Sequence, residues 1–150
     1  MPRCCPAQFD AIVNVHFRCD DRPALPGGGW ILGMVGSVTQ WVFRRDDIVS
    51  VTVSDAGTLA DTPAEDIAAT IWDEVARALG VPGAPIPPYR VVKEHRATIA
   101  QTPEQNRRRP ESTTQWHNLW LAGDWTDTGL PATIEGAVRS GKKAAELVVF

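Results

Sequence analysis

The stretch that decides the fold is NLWLAGDWTDTGLPATIEGAVRSGKKAAELVV, which occupies residues 118–149. Its first residues form a short apolar run that is typical of a buried strand, which we place at 118–122. The run ends at Gly123 and Asp124, where a loop rich in turn-forming residues begins. From about residue 132 the residue pattern is helical, and we predict a helix that continues to 148.

One face of this predicted helix carries only small side chains, because Gly136, Ser140 and Ala144 recur at a spacing of four. Small side chains let a helix backbone approach a neighbour closely. The N-terminus of a helix also has unpaired N–H groups and a partial positive charge. A strand, an acidic glycine-containing loop and a small-faced helix together predict a site that offers a carboxylate and a helix dipole to a polar cofactor.

The run LAGDWTDTGLPATIEGAVRSGKKAA, residues 121–145, closely resembles the C-terminal flavin-binding segment of the FAD-dependent amine oxidase and phytoene desaturase superfamily. Within that superfamily it is most similar to the squalene-associated desaturase branch, whose members include hydroxysqualene dehydroxylase. Three upstream pieces resemble the same branch in the same order. These pieces are GMVGSVTQWVFRR (33–45), VVKEHRAT (91–98) and RRRP (107–110).

The resemblance implies FAD as the cofactor and assigns roles to residues of the last segment. Gly123 permits a sharp exit from the strand, and Asp124 accepts hydrogen bonds from the ribityl chain. Thr133 and Ile134 begin the helix, where a backbone N–H points at the flavin N1/C2 carbonyl. An alternative role for Asp124 is that of a turn residue bonded to the loop backbone. The same loop contributes Trp125, Leu130 and Pro131 to the cofactor or substrate region.

The catalytic residues are less clearly marked. By the resemblance, the segment VVKEHRAT approaches the flavin and the substrate, and within it we select Lys93 and Glu94 as catalytic candidates. The alternative is that these two residues form an exposed ion pair on a strand at the edge of a sheet.

The N-terminal dinucleotide fold of this superfamily opens with G-x-G-x-x-G, and that motif does not occur in these 150 residues. We therefore expect the C-terminal part of a longer flavoenzyme, without the half that holds the ADP moiety. Residues 1–113 are then a partial substrate-binding region, and residues 114–150 are the C-terminal FAD-binding segment. We also expect the small face of the last helix to lack its neighbour.

Upstream of the flavin segment, alternating apolar residues and short turns predict an antiparallel sheet, so the fold class is α+β. A helix is predicted over 63–79, with Thr62 and Glu65 as a capping box and Gly80 at its end. Residues 44–47 are predicted as a turn, and 96–110 as a polar loop. The predicted strands are 11–17, 30–35, 40–43, 48–53 and 89–94.

Composition narrows the functional classes. Hydrophobic residues make up 43% and charged residues 22% of the chain, as in ordinary globular domains. A formal net charge of −3 gives no general attraction to nucleic acid. The three cysteines, Cys4, Cys5 and Cys19, lack metal-ligand spacing, so we expect no metal site and a cytoplasmic setting. No apolar run is long enough to span a membrane, while an apolar substrate leaves peripheral membrane contact open.

Two further features each have two interpretations. The basic cluster at residues 107–109 is a solvated loop, or it contacts a phosphate or the missing half of the enzyme. The six tryptophans are mostly core residues, or they line an apolar channel for a polyprenyl chain.

Three functional hypotheses remain at this stage. The first is the C-terminal portion of a FAD-dependent oxidoreductase acting on an apolar isoprenoid, such as hydroxysqualene or a carotenoid precursor. The second is a FAD-dependent amine oxidase, which shares the cofactor segment but oxidises a C–N bond. The third is an inactive fragment that needs a partner chain carrying the N-terminal half.

Overall fold

The computed structural model describes residues 5–148, which form two compact units. One unit combines Met1–Asp10 with Arg96–Phe150, and the other is Ala11–His95. A division between residues 113 and 114 was predicted from function. The two compact units do not test it, because they describe how the chain packs and not what each part does. The division therefore stays a prediction.

A five-stranded antiparallel sheet confirms the main prediction for the upstream part of the chain. The strand order is β2-β3-β4-β1-β5, which puts β2 and β5 at the two edges. Strands β3 and β4 are joined by a two-residue turn in which Asp46 has a positive φ of 53°. The strands are β1 (Phe9–Arg18), β2 (Ile31–Gly33), β3 (Trp41–Arg45), β4 (Ile48–Ser54) and β5 (Tyr89–Ile99).

Two of the predicted irregular segments contain regular structure. Arg44 and Arg45 belong to β3, so the predicted turn at 44–47 is too long by two residues. The predicted loop at 96–110 is wrong over much of its length, because β5 continues to Ile99 and a helical turn, α3 (Pro103–Asn106), follows. Burial of Ile99 extends the strand, and the Thr102 hydroxyl caps α3 by accepting from Gln105 N.

The apolar core of the unit Ala11–His95 lies between one face of the sheet and a helix, α2 (Ala64–Ala78). Alternate residues of β1 and β4 point into it, as the period of a strand requires. The helix contributes a stripe at a spacing of four, as the sequence predicts. The core residues of β1, β4 and α2 with no exposed surface are Val13, Val15, Phe17, Val49, Val51, Ile67, Ala68, Ile71 and Val75.

The two ends of α2 differ in how well the sequence predicts them. Thr62 does not cap the helix, so the predicted capping box is wrong. Its hydroxyl donates to Thr58 O in the preceding short helix, α1 (Gly57–Ala60). Pro63 occupies the N-cap position of α2. The C-terminal end is as predicted. Gly80 has a φ of 76°, and Val81 N donates to Ala76 O, which satisfies a terminal carbonyl.

The tryptophans are mostly outside the core, contrary to prediction. Only Trp72 is buried, and its indole N–H donates to Ala84 O. The side chains of Trp30, Trp41 and Trp116 are 68%, 47% and 56% exposed, and the remaining two are partly buried. Trp30 and Trp41 lie on or beside the β2–β3 hairpin, which forms one edge of the sheet.

The C-terminal segment contains the predicted helix but not the predicted strand. The helix α4 spans Ile134–Leu147. Residues 118–122 form only an isolated antiparallel bridge, between Trp120 and Thr113, and Leu121 N donates to Ser112 O. Leu119 is 45% exposed, so this apolar run is not enclosed by neighbouring strands within the part of the chain that the structure describes. A strand needs a continuous ladder, and one short neighbouring segment does not supply it.

Two of the cysteines are described, and Cys4 lies outside the described residues. Cys5 is exposed and Cys19 is buried, and both are free thiols. Burial raises the pKa of the Cys19 thiol, with the charges of nearby aspartates adding to the effect, which keeps it protonated at neutral pH. Within residues 5–148, no cluster of side chains is suited to a metal ion, and none of the helices has both the length and the apolar character needed to cross a membrane.

Replacing Gly80 by alanine should lower the free energy of unfolding by about 1 kcal/mol, because a residue with a Cβ is strained at this positive φ. Gly57 offers a matched control, since it begins α1 without a positive φ and an added Cβ would meet no heavy atom within 4 Å. Gly57→Ala should change the stability by less than about 0.5 kcal/mol or increase it slightly. Urea unfolding of the two variants measures the difference, and equal losses would contradict this account of the helix end.

Candidate functional site

The loop between the Trp120 bridge and α4 begins with a conformation that only glycine adopts easily. Gly123 has a φ of 151°. A Cβ at this position would lie 2.4 Å from Trp125 Nε1 and 2.6 Å from Trp125 Cδ1, closer than such atoms approach. The glycine therefore allows the chain to change direction while the Trp125 ring folds back against its backbone.

Hydrogen bonds tie this loop to the small face of α4. Ser140, fully buried, accepts from Gly123 N at 3.0 Å and pairs with the Thr126 hydroxyl at 2.6 Å. The Thr126 hydroxyl also lies 2.9 Å from Gly123 O. Gly136 lets the helix backbone approach the loop, because a Cβ there would meet Pro131 O at 2.8 Å. The expectation that this face lacks a neighbour is therefore wrong for Gly136 and Ser140.

A cavity of about 390 Å³ lies beside this loop, within the unit that combines Met1–Asp10 with Arg96–Phe150. Its volume falls in the lower part of the range for small-molecule sites, roughly 300–1,000 Å³. Asp124 and Trp125, both predicted as cofactor-binding residues, form part of its wall. The complete lining is Cys5, Pro6, Phe9, Arg96, Ala97, Thr98, Ile99, Asp124 and Trp125.

The cavity combines opposite charges with aromatic walls. The Arg96 guanidinium lies over the Phe9 ring, with Cζ 4.2 Å from the ring centroid. Across residues 5–148, no donor makes a hydrogen bond to the Asp124 carboxylate. The turn role proposed as an alternative for Asp124 is performed by Asp127, whose carboxylate accepts from Gly129 N at 3.2 Å.

The remaining predicted cofactor-binding residues form the end of the loop and the start of α4. Thr133 is the N-cap, and its hydroxyl accepts from Gly136 N at 3.2 Å. The N–H groups of the first helical residues, beginning with Ile134, have no intrahelical acceptor, and the Ile134 side chain is 86% exposed. Leu130, Pro131, Thr133 and Ile134 do not line the cavity beside Asp124.

The two predicted catalytic residues, Lys93 and Glu94, belong to the unit Ala11–His95 and do not line the cavity. Lys93 is partly buried, and its ammonium group donates to Thr62 O. Glu94 is exposed on β5, which is an edge strand. Their catalytic role stays a prediction. Three residues of the segment VVKEHRAT line the cavity, namely Arg96, Ala97 and Thr98. They belong to β5, although a loop is predicted there.

The basic cluster contains one residue that is not solvated. Arg108 forms an ion pair with Glu104 at 2.9 Å, as a surface residue would. Arg109 is only 8% exposed, and its guanidinium donates to backbone carbonyls of the loop. The interpretation of 107–109 as a solvated loop is therefore wrong for Arg109. The sequence offers no local signal for this role, because the backbone carbonyls that accept from Arg109 lie 15–21 residues further along the chain.

Two glycines of the same loop should respond very differently to alanine substitution. Gly123→Ala adds a steric clash with Trp125 to an unfavourable φ and should cost at least about 2 kcal/mol of unfolding free energy. Gly129 has a φ of 72° but open space around it, so Gly129→Ala should cost about 1 kcal/mol. Urea unfolding gives the energies, and near-ultraviolet circular dichroism should report a changed tryptophan environment only for Gly123→Ala. Equal effects would show that contact with Trp125 does not constrain the loop.

Two curated relatives are similar to nearly the whole chain. Hydroxysqualene dehydroxylase from Rhodopseudomonas palustris is 50% identical over 144 residues, and the enzyme of the same name from Sinorhizobium fredii is 49% identical over the same length. Each alignment covers 96% of this chain and 34% of the relative. The chain thus spans about a third of the length of the curated relatives it matches.

A solved structure supports the fold. The "Putative protoporphyrinogen oxidase" from Exiguobacterium sp. 255-15 superposes with a TM-score of 0.65 over 93% of this chain and 34% of that chain, at 16% sequence identity. A family model with the description "Flavin containing amine oxidoreductase" matches residues 6–149. The match covers almost the whole chain, and the relatives are 50% and 49% identical over the same region. The chain therefore belongs to the flavin-containing amine oxidoreductase family.

Proposed function

We propose that this chain supplies the C-terminal part of a FAD site in an oxidoreductase that acts on an apolar isoprenoid, such as hydroxysqualene. One observation carries the proposal: Asp124 lines a cavity, and no hydrogen bond to its carboxylate occurs among residues 5–148. A carboxylate left with unused acceptor capacity beside aromatic walls suits a ligand with hydroxyl groups and a flat ring system.

The residues present fit a bound FAD in three respects. Asp124 can accept hydrogen bonds from ribityl hydroxyls, and each such charge-assisted bond contributes about 1.5–3 kcal/mol. The Trp125 and Phe9 rings offer apolar surfaces on the cavity wall. Arg96 brings a positive charge to the same cavity, and a charge near the ring system is one means by which a protein tunes a flavin.

The start of α4 would complete the contacts of the C-terminal segment. A bound flavin supplies the chemistry of hydride or electron transfer, and the protein positions it. Thr133 fixes where α4 begins, so that the N–H groups of Ile134 and Glu135, together with the helix dipole, can face an acceptor atom. Leu130 and Pro131 set the path of the chain into this first turn. Their place in the FAD site is part of the proposal.

The similarity to two hydroxysqualene dehydroxylases favours an isoprenoid over an amine as the substrate. The family description alone would equally suit oxidation of a C–N bond. We keep Lys93 and Glu94 as catalytic candidates, and the Lys93 ammonium group donates a hydrogen bond to Thr62 O. The exposed Trp30 and Trp41 give the unit Ala11–His95 an apolar surface suited to peripheral membrane contact. We place the protein itself in the cytoplasm.

We further propose that the chain acts with the part of the enzyme that corresponds to the remaining two-thirds of its relatives. Residues 1–113 would then belong to the substrate-binding region and 114–150 to the FAD-binding segment. This division fits the absence of G-x-G-x-x-G from the 150 residues, because that motif holds the pyrophosphate in dinucleotide folds. The rest of the cofactor would be held by a partner chain or by a preceding segment.

Replacement of Asp124 tests the proposed cofactor contact. In a full-length relative whose corresponding third is replaced by residues 6–149 of this chain, Asp124→Ala should raise the dissociation constant for FAD by roughly ten- to a hundredfold. The matched control is Asp127→Ala in the same loop, which removes only the turn bond to Gly129 N. Flavin content after gel filtration and a FAD titration of the apoprotein measure both variants. Unchanged FAD binding in Asp124→Ala, with the loop intact by circular dichroism, would show that the carboxylate is not a cofactor ligand.

The 150-residue chain by itself should bind FAD weakly and show no turnover. Its segment provides contacts to only part of the cofactor, and these must offset the translational and rotational freedom that FAD loses on binding. Gel filtration after mixing the purified chain with excess FAD should leave the protein fraction without a flavin absorbance band. A stoichiometric yellow complex of the isolated chain would contradict the proposal that a further part of the enzyme is needed.

A further inference from the structure

Arg109 is a buried charged residue that is only 8% exposed. Nη1 donates to Leu130 O at 2.6 Å and to Asn106 Oδ1 at 3.2 Å. Nη2 donates to Asp124 O at 2.9 Å and to Thr126 O at 2.5 Å. One side chain therefore binds backbone carbonyls at three points of the loop that bears Asp124.

A buried positive charge is unfavourable unless hydrogen bonds or an opposite charge compensate for the lost hydration. Among the ion pairs of residues 5–148, none involves Arg109, so loop carbonyls and one amide oxygen compensate for the charge through Nη1 and Nη2, while Nε has no hydrogen-bond partner among these residues. The planar guanidinium holds its donors in a fixed fork, which an ammonium group cannot reproduce. The carbonyls of Leu130, Asp124 and Thr126 must therefore all point toward the guanidinium. The buried position of the guanidinium thus requires the loop conformation that directs them there.

The hydrogen bonds of Arg109 fix the backbone of Asp124 and Trp125, the two loop residues that line the cavity. Arg109 binds the carbonyl of Asp124 and that of Thr126, so the backbone on both sides of Trp125 is held. Because a trans peptide is planar, holding the Asp124 carbonyl toward Arg109 turns the Trp125 N–H to the opposite side. Arg109 does not line the cavity, so its influence on a ligand there acts through these residues.

We propose that Arg109 is the positioning residue of the candidate flavin site. It holds the 123–131 loop in the conformation that presents the Asp124 carboxylate to the ribityl chain. The inference rests on the proposed function, because it concerns the affinity of that same site for FAD. Arg109 affects FAD binding indirectly, because it determines the position of Asp124.

The first test uses the chain itself and needs no flavin. Arg109→Lys keeps the charge but loses the fork, and Asn106→Ala removes only the side-chain acceptor that orients Nη1. The matched control is Gln105→Ala, a buried residue of the same unit whose amide oxygen accepts from Ala7 N at 2.8 Å. Hydrogen exchange at the amides of Thr126 and Asp127 should accelerate roughly ten- to a hundredfold in Arg109→Lys and less in Asn106→Ala. In Gln105→Ala it should change less than about threefold.

The second test measures coupling to Asp124 in the chimeric full-length enzyme described above. Arg109→Lys should raise the dissociation constant for FAD by about tenfold or more in the presence of Asp124. In the Asp124→Ala background the same substitution should have less than about a threefold effect, because the residue through which Arg109 acts is gone. A residue that merely stabilises the fold would give the same factor in both backgrounds.

The outcomes separate this inference from the proposed function. Equal effects of Arg109→Lys with and without Asp124, or unchanged loop exchange in Arg109→Lys and Asn106→Ala, overturn the positioning role while leaving FAD binding intact. A chimera with the native residues that retains no FAD overturns the proposed function, and this inference with it. Loop exchange that accelerates together with a non-additive effect on FAD binding supports both.

Discussion

The candidate site depends on a single constraint, which is that a loop without regular secondary structure must keep one conformation. Apolar packing holds the unit Ala11–His95, whose core lies between the sheet and α2. In the other unit, the buried residues around the loop are largely polar, among them Arg109, Thr126 and Ser140. Hydrogen bonds are directional, whereas apolar contacts are not, so a polar network of this kind specifies geometry more narrowly than an apolar core does. That property suits a segment whose task is to hold a carboxylate in place.

The polar network also couples distant parts of the sequence. Ser140 on α4 bonds to Gly123 and Thr126 at the start of the loop, and Arg109 reaches the loop from before the Trp120 bridge. Removal of one member leaves the others buried with unmet hydrogen-bonding capacity, which costs more than the bond itself contributes. Substitutions at these positions should therefore interact strongly with one another and weakly with changes in the apolar core.

The sequence predicts what depends on local chemistry and periodicity. Gly80 after α2 and the alternation in β1 and β4 each act within a few residues, and both were predicted correctly. The start of α4 at Thr133 and Ile134 was implied by the family resemblance, while the residue pattern alone placed it at about residue 132. Capping patterns are less certain where a competing acceptor is near, as at Thr62, whose hydroxyl bonds back to α1. The apolar run at 118–122 predicted a strand because strand formation was judged from its own residues, although a strand requires partners. Arg109 was misinterpreted for the same reason, since the carbonyls that accept from it are remote in sequence. The cavity residues Phe9 and Arg96 likewise come from strands far from Asp124 along the chain.

The position of β5 at the edge of the sheet has a consequence for how copies of this chain can meet. An unpaired strand edge is a template for adding a further strand from another molecule, the first step toward fibrous aggregation. Strand β5 carries Arg90, Lys93, Glu94 and Arg96 along its length, and the other edge strand, β2, is only three residues long. Closely spaced charges on one edge and shortness on the other both oppose strand addition. Two copies of this chain would therefore associate through side-chain surfaces, such as the exposed indoles of the β2–β3 hairpin, and not by hydrogen bonds between strand backbones.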